Sequence, residues 1–426
     1  MVMADMKTTF NLLTKAAFST LSLLAFAGLE APVSAVPVIP APTEPVPTRV
    51  LVNPGFEEPA FIDQPAAWIS IDNYTPGNDN TLQGWFSTHP THFARYGEDR
   101  FLDGQGVPFE HLTEVWVEGH NGVFSSEGYQ FAELNAEHHS ALYQDIVVFA
   151  GESIPWEVSH RGRDSDSVAD VAEVFISDPN DWTGPTFAGN KLYSANISTS
   201  NNGSISGITP LLGNIADSTS ETALNDGWVR YADTWEGPTH SKKYRFAFQA
   251  ISTASGNITQ GNLLDEIQIK LSPIIDIVDP EIELIDPLGE STYYLPVRVN
   301  GLLESNSTVE IDVSIAGNDF SDFTLADLMS GRGQALGNDF SATKLANGNI
   351  SLTIPPNIYD PNNPAHYISI PIDFGRTIVD QDSEILFTVV NSSGGGGNGV
   401  QDMLIPPADS GFAITQATML KAVYAD

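Results

Sequence analysis

The sequence predicts an all-β protein built from two β-sandwich domains. Three observations carry that expectation. Apolar and polar residues alternate over short runs bounded by Gly, Pro, Asn or Asp, as in half-buried strands. Beyond the N-terminal segment, long helical periodicity is absent. The aromatic composition also changes abruptly along the chain. All seven tryptophans fall between Trp68 and Trp235, and the strands that follow are aliphatic, which implies two separate cores.

The elements follow in order. Residues 1–35 read as a secretory signal peptide: Lys7 and Lys15 precede the apolar stretch Ala16 to Leu29, and Val33-Ser34-Ala35 offers small residues for cleavage. That stretch is too short for a comfortable membrane span, and no second one appears, so the mature chain is expected to be soluble. Residues 36–49 form a spacer with Pro37, Pro40, Pro42, Pro45 and Pro47, which favour an extended polyproline-type chain. The first domain spans 50–272. Val52 to Glu57 reads as its opening strand, at a Pro-Gly turn. Tyr244, Phe246, Phe248 and Ala250 form one face of a later strand. Ile267, Ile269 and Leu271 form one face of the closing strand. Pro273 to Asp279 read as a hinge.

The second domain spans 280–400. Val309, Ile311, Val313 and Ile315 give one strand, Ile350, Leu352 and Ile354 another, and Ile368, Ile370 and Ile372 a third. Asp322 to Met329 would make one short helix. Ser392 to Gly399, with four consecutive glycines, reads as a flexible loop. The tail 401–426 carries one further element, strand or helix, between Phe412 and Tyr424.

Charge narrows the function. Lys and Arg total 18 against 54 Asp and Glu, a formal charge of −36, which opposes binding to nucleic acid or anionic membranes. It suits a soluble extracellular protein or one that holds divalent cations; the plainer alternative is a solvated acidic surface. Only 17% of residues are charged and 41% are hydrophobic, which argues against global disorder. There is no cysteine, so each domain rests on its core or on bound metal.

The phrases Val52-Asn53-Pro54-Gly55-Phe56-Glu57 and Leu263-Leu264-Asp265-Glu266-Ile267-Gln268-Ile269 resemble the first and last strands of carbohydrate-binding-module-like (galactose-binding-like) jelly rolls of secreted bacterial proteins. Between them, Gly128-Tyr129-Gln130-Phe131-Ala132-Glu133-Leu134-Asn135, Leu142-Tyr143-Gln144-Asp145 and His160-Arg161-Gly162-Arg163 look like the inner run of such domains. The resemblance implies a jelly roll and a structural calcium at the matching Glu57 and Asp265. Calcium's demand for hard oxygens fits that pair; the alternative is that both carboxylates cap strand ends.

Residues from about Tyr294 to Ser392 resemble a Calx-β domain, an Ig-like sandwich. The match runs through Leu303-Glu304-Ser305-Asn306, Gly337-Asn338-Asp339-Phe340-Ser341, Leu352-Thr353-Ile354-Pro355-Pro356 and Val379-Asp380-Gln381-Asp382-Ser383-Glu384. It implies calcium ligands at Glu304, Asp339, Asp373, Asp380, Asp382 and Glu384 at one pole. The chain departs from the paired aspartates of the family at Asp373-Phe374-Gly375. The alternative there is a solvated acidic pole.

A glycan site needs exposed aromatic platforms and polar groups that orient hydroxyls. Trp85 and Trp182, in loop-like contexts, are the candidates. Trp116 and Trp156 read as core. No catalytic residue is assigned. His138 and His139 with Glu133 and Glu137 diverge on a strand-turn, and His160, Arg161 and Tyr143 only faintly match jelly-roll polysaccharide lyases. The expectation is a secreted, non-catalytic protein of the cell exterior. It would bind extracellular polysaccharide or cell-surface glycan, or act in adhesion, with calcium as its one cofactor. The alternatives are a secreted polysaccharide-degrading enzyme on a jelly roll and a structural matrix or surface-layer component.

Overall fold

The alternating segments become strands in the computed structural model. It describes residues 46–63, 67–71, 82–89, 112–136, 138–182, 187, 189–203, 227–278, 284–285, 292–315, 317–374, 383–406 and 417–422. Residues 1–35, most of the Pro-rich spacer, Asp380 and Asp382 lie outside them. The described elements are strands and three single 3-10 turns. No helix among the described residues is long and apolar enough to cross a membrane.

The first sandwich holds β1 (Trp68–Ile71), β2 (Phe86–Ser87), β3 (Thr113–Val117), β4 (Gln130–Glu133), β5 (Ala141–Val148), β6 (Ser153–Arg161), β7 (Asp170–Ser177), β8 (Lys191–Thr199), β9 (Val229–Glu236), β10 (Lys242–Ser252) and β11 (Leu263–Ile269). One sheet runs β1-β3-β4-β11-β6-β9 and the facing sheet runs β2-β5-β10-β7-β8. All their pairings are antiparallel. Side chains alternate faces along a strand, so Trp156 and Val158 of one sheet meet Ile146, Val174, Phe246 and Phe248 of the other in one apolar cluster.

The opening phrase is not a strand. Asn53 and Phe56 take positive φ (54° and 61°) around the Pro54-Gly55 turn. The turn is pinned from outside: Ile267 donates its amide to the Pro54 carbonyl at 3.1 Å. The closing strand breaks register between Asp265 and Gln268, where Glu266 sits at φ 48°.

The second sandwich holds β12 (Ile274–Ile277), β13 (Leu284–Ile285), β14 (Thr292–Leu303), β15 (Ser307–Ile315), β16 (Asn318–Asp319), β17 (Thr324–Leu325), β18 (Met329–Ser330), β19 (Ser341–Lys344), β20 (Ile350–Ile354), β21 (Asn357–Tyr359), β22 (Ile368–Asp373), β23 (Ser383–Gly394) and β24 (Ala417–Ala422). Its sheets run β12-β14-β22-β17 and β13-β24-β23-β15-β20-β19, with β13 and β24 parallel. Leu295, Val297 and Ile370 meet Val309, Ile311, Ile350 and Phe387 in a second apolar cluster.

Three connecting segments depart from expectation. The hinge segment enters the second sandwich as β12, paired with β14. Asp322 to Met329 forms no helix: β17 and β18 instead pair with β22, whose backbone groups need partners. The glycine run ends β23 and folds back on the first sandwich, where Lys270 Nζ donates to the Asn398 carbonyl at 2.6 Å.

Arg49 stitches the two sandwiches. Its backbone amide donates to Asn300 Oδ1 at 2.9 Å, its Nε to the Ser272 carbonyl at 2.8 Å and its Nη1 to the Val147 carbonyl at 2.8 Å. Its Nη2 pairs with Glu152, and the guanidinium stacks on Phe149. Beside it, Val147, Phe149 and Ile274 form a small apolar cluster joined by Leu404.

Candidate functional site

The outward face of the sheet β2-β5-β10-β7-β8 carries a row of aromatic rings, of which Phe86, Tyr143 and Trp182 are partly open. Register places Phe86 beside Tyr143, Tyr143 beside Ala247 and Ala247 beside Phe175. Phe86, 45% exposed, stacks on Tyr143 at 5.7 Å with a 24° tilt. Ala247 leaves room between the aromatic strands. The Arg245 guanidinium fills it, lying 3.8 Å from the Tyr143 ring centroid and 4.9 Å from that of Trp182. Trp182 arrives from the turn after β7. It lies parallel to Phe175 at 5.6 Å and 11°, and its indole nitrogen donates to Ser177 Oγ at 2.8 Å. Polar groups flank the rings in register: Asp145 opposite Arg245, and Gln249 opposite Glu173.

Two ion pairs lie on this face. Arg245 meets Asp145 through two nitrogens at 2.8 and 3.2 Å. Lys191 pairs with Glu173 and sits over Phe175.

Of the two predicted platform residues, Trp182 belongs here, half-buried. Trp85 does not: it is 1% exposed, packs against Phe56 and Phe248, and donates to the Asn53 carbonyl at 2.8 Å. The physical reason is the turn before it. Gly84 has φ 79° and passes so close to Val52 that a Cβ there would lie 2.5 Å from Val52 Cβ. The chain therefore enters the strand with Trp85 inward and Phe86 outward. Phe86, Tyr143 and Arg245 escaped the sequence reading. The available signal was the alternation itself, since the polar face of β10 is where Arg245 and Gln249 sit.

The family-like run builds a buried polar web. Gln130 accepts the Phe61 amide and donates to the Phe56 and Pro59 carbonyls. Glu133 accepts two bonds from Arg163 at 2.8 and 2.9 Å and one from the Gly261 amide at 2.6 Å. His160 bonds Thr199 at 2.8 Å and Asn262 at 3.0 Å, and Asn262 donates to Asn135 at 2.9 Å. Burial pulls the His160 imidazole down to about 4, so it is neutral at physiological pH. His160 lies in β6 and Tyr143 on the outer face of the other sheet, so no His-Arg-Tyr constellation assembles.

Glu57 and Asp265 share one end of the sandwich. Glu57 Oε1 accepts the Tyr129 and Gln130 amides at 2.8 and 3.0 Å, and Asp265 Oδ2 accepts those of Ser126 and Glu127 at 2.7 and 3.0 Å. They thereby anchor the loop between β3 and β4. Burial raises both carboxyls, and their mutual repulsion adds to the rise of Asp265. The chemistry suits a hard cation, since these are carboxylate oxygens held together against their repulsion. Among the described residues, though, no three His, Asp or Glu side chains converge as a metal shell.

The acidic positions of the second sandwich do not form one pole. Asp373 pairs with Thr292 at the start of β14, while Glu304 follows its last residue. Twelve residues of strand separate them, roughly 40 Å at about 3.3 Å per residue. Glu384, opening β23, lies at the Asp373 end, opposite Lys421. Asp339 lies toward the Glu304 end, since Ser341 pairs with Thr353 and Thr353 with Thr308. Asp380 and Asp382 fall outside the described residues.

No protein-family model and no curated protein matches the sequence. Solved structures do. A CBM4 structure matches at 11% identity and TM-score 0.25, covering 51% of this chain and 97% of its own. The tandem CBM22 domains of Paenibacillus barcinonensis Xyn10C match at 12% and 0.23, over 78% and 91%. The adhesin domain of Epf from Streptococcus pyogenes matches at 8% and 0.21, over 85% and 99%. Enzymes also match, over smaller shares of their chains.

Proposed function

We propose that the Phe86-Tyr143-Arg245-Trp182 face is a platform for a neutral polysaccharide, and that the protein is a secreted, non-catalytic glycan-binding or adhesion protein. The observation that carries this is the geometry of that face. Phe86, 45% exposed, offers ring surface to the C–H face of a pyranose beside the half-buried Tyr143 and Trp182, and Asp145 and Gln249 stand by to meet its hydroxyls. A neutral chain is favoured over an acidic one, because an acidic glycan would meet the field of a chain at −36.

The test is retention on immobilised neutral and acidic polysaccharides, by affinity electrophoresis. Phe86→Ala removes an exposed ring, so retention should drop several-fold with the melting temperature unchanged. Retention that survives both Phe86→Ala and Arg245→Ala would sink the platform. Chain shortening of any polysaccharide by the purified protein, abolished by a point mutation, would overturn the non-catalytic reading in favour of the enzyme.

Calcium is part of the proposal at Glu57 and Asp265, where a cation would relieve the repulsion between buried carboxylates and tighten the 124–130 loop. Binding to the native state alone raises stability by mass action. A melting temperature unmoved by chelator would leave these residues as loop anchors only. For the second sandwich the Calx-β reading rests on the sequence resemblance, and its calcium on Asp373 and Glu384, which share one end of the sandwich; the same chelation experiment, followed by calorimetry, tests it.

A further inference from the structure

Between the two sandwiches lies a cavity of about 360 Å³, within the range of small-molecule sites. Leu51, Ile267 and Leu271 line it from the first sandwich, and Leu302, Ile358 and Val400 from the second. Ile358 is 56% exposed. The charged groups in the lining are unequally provided for. Arg49 spends its guanidinium on Glu152, Ser272 and Val147. Lys270 gives its ammonium to Glu157 Oε1 and the Asn398 carbonyl, both at 2.6 Å. Glu266 is held by Arg230 and accepts from the Ser126 and Ser159 hydroxyls at 3.4 and 3.2 Å.

Glu304 is different. Its carboxylate, on a half-buried residue that lines the cavity, makes no hydrogen bond and no ion pair among the described residues. Glu127 adds a second carboxylate to the lining. The cavity thus combines apolar walls from both sandwiches with an acceptor that lacks its donor, while its own cations are already engaged.

We infer that this cavity binds a primary ammonium or guanidinium group on an aliphatic stem, that is, a lysine or arginine side chain of a peptide partner. The cationic head pairs with Glu304. The stem runs along Leu302 and Ile358, as long basic side chains commonly lie on apolar surface. The acidity of the whole chain draws such a ligand in at long range. The site needs both sandwiches, so neither alone would hold it.

The test uses the full chain, with n-pentylammonium as probe and n-pentanol as the matched neutral stem, followed by titration calorimetry. The ammonium should bind about tenfold more tightly than the alcohol. Glu304→Gln should erase that preference, and Leu302→Trp, which fills the cavity and leaves Glu304 in place, should abolish binding of both. Absence of saturable binding, equal affinity for the two probes, or a preference that survives Glu304→Gln overturns the inference. If Glu304→Gln does not fold, binding retained by Leu302→Trp overturns it instead.

Discussion

Replacing Arg49 by methionine should loosen the junction and uncouple the two sandwiches. The side chain is fully buried, as is most of its partner Glu152, at 0% and 5% exposure. Burial lowers the affinity of the guanidinium for its proton more than Glu152 restores it. The pair is therefore not a source of stability in itself; its importance appears when one half is removed. Arg49→Met strands the Glu152 carboxylate, which costs about 3–5 kcal/mol in comparable buried pairs. It also removes the donors to the Ser272 and Val147 carbonyls, at about 1 kcal/mol each. Methionine recovers about 1–2 kcal/mol by burying its own apolar surface. The net loss is about 3–6 kcal/mol, or roughly 6–24 °C in Tm for a domain of this size. Calorimetry and tryptophan fluorescence together give the readout, because all seven tryptophans belong to the first sandwich. In the natural protein both probes should melt together. In the variant, fluorescence should melt first and the calorimetric peak should split. Arg49→Met with Glu152→Leu should regain part of the loss. A single variant within about 1 kcal/mol of the natural protein, the scale of an exposed ion pair, would refute the reasoning.

Other substitutions separate core from surface. Trp85→Ala should cost about 3–5 kcal/mol, because it empties a packed site beside Phe56 and Phe248; urea denaturation would show it, and a near-neutral result would mean the ring is not core. Trp182→Ala should lower both glycan retention and Tm, since it uncovers Phe175, which is 0% exposed. Retention lost with Tm intact would contradict that double role. Stability should also fall as pH rises from mildly acidic values. Glu133 has its carboxyl raised well above the ordinary 4.5, first by burial and then by Glu114 directly opposite. A carboxyl raised by folding binds its proton more tightly in the native state. That stabilisation is complete below the unfolded value and is lost as pH climbs through the folded one. Melting curves across that window should show the slope, and Glu133→Gln should flatten it; an unchanged slope in the variant would assign it to other groups.

Much of the fold was legible because it depends on period-two alternation. The runs Tyr244–Ala250 and Val309–Ile315 place their apolar residues inward as written, in β10 and β15. What escaped was decided by distant contacts or by local turns. The opening phrase looked extended, but its amide partners lie across the chain at Ile267 and Gln144. Asp322 to Met329 carried a helix-like spacing that lost to the unpaired edge of β22. Trp85 and Phe86 are neighbours whose fates were exchanged by one glycine turn. The acidic pole failed for a metric reason: matching motifs fixes order along the chain, but only register reveals that Asp373, paired with Thr292, and Glu304, after Leu303, lie at opposite ends of β14.

The Arg49 stitch also bears on the order of events in folding. Its amide finds Asn300, 251 residues away, and the neighbouring Val46 finds Asn362, 316 residues away. Closing loops of that length is slow, and neither partner exists as a shaped acceptor until the second sandwich has formed. The segment ahead of the first sandwich must therefore wait, unseated, while both sheets of each sandwich close. It then clips into place last, as a latch whose engagement reports that the whole chain is native. Pulse-labelling hydrogen exchange during refolding would read this directly, with the amides of Val46 and Arg49 gaining protection after those of β10 and β15.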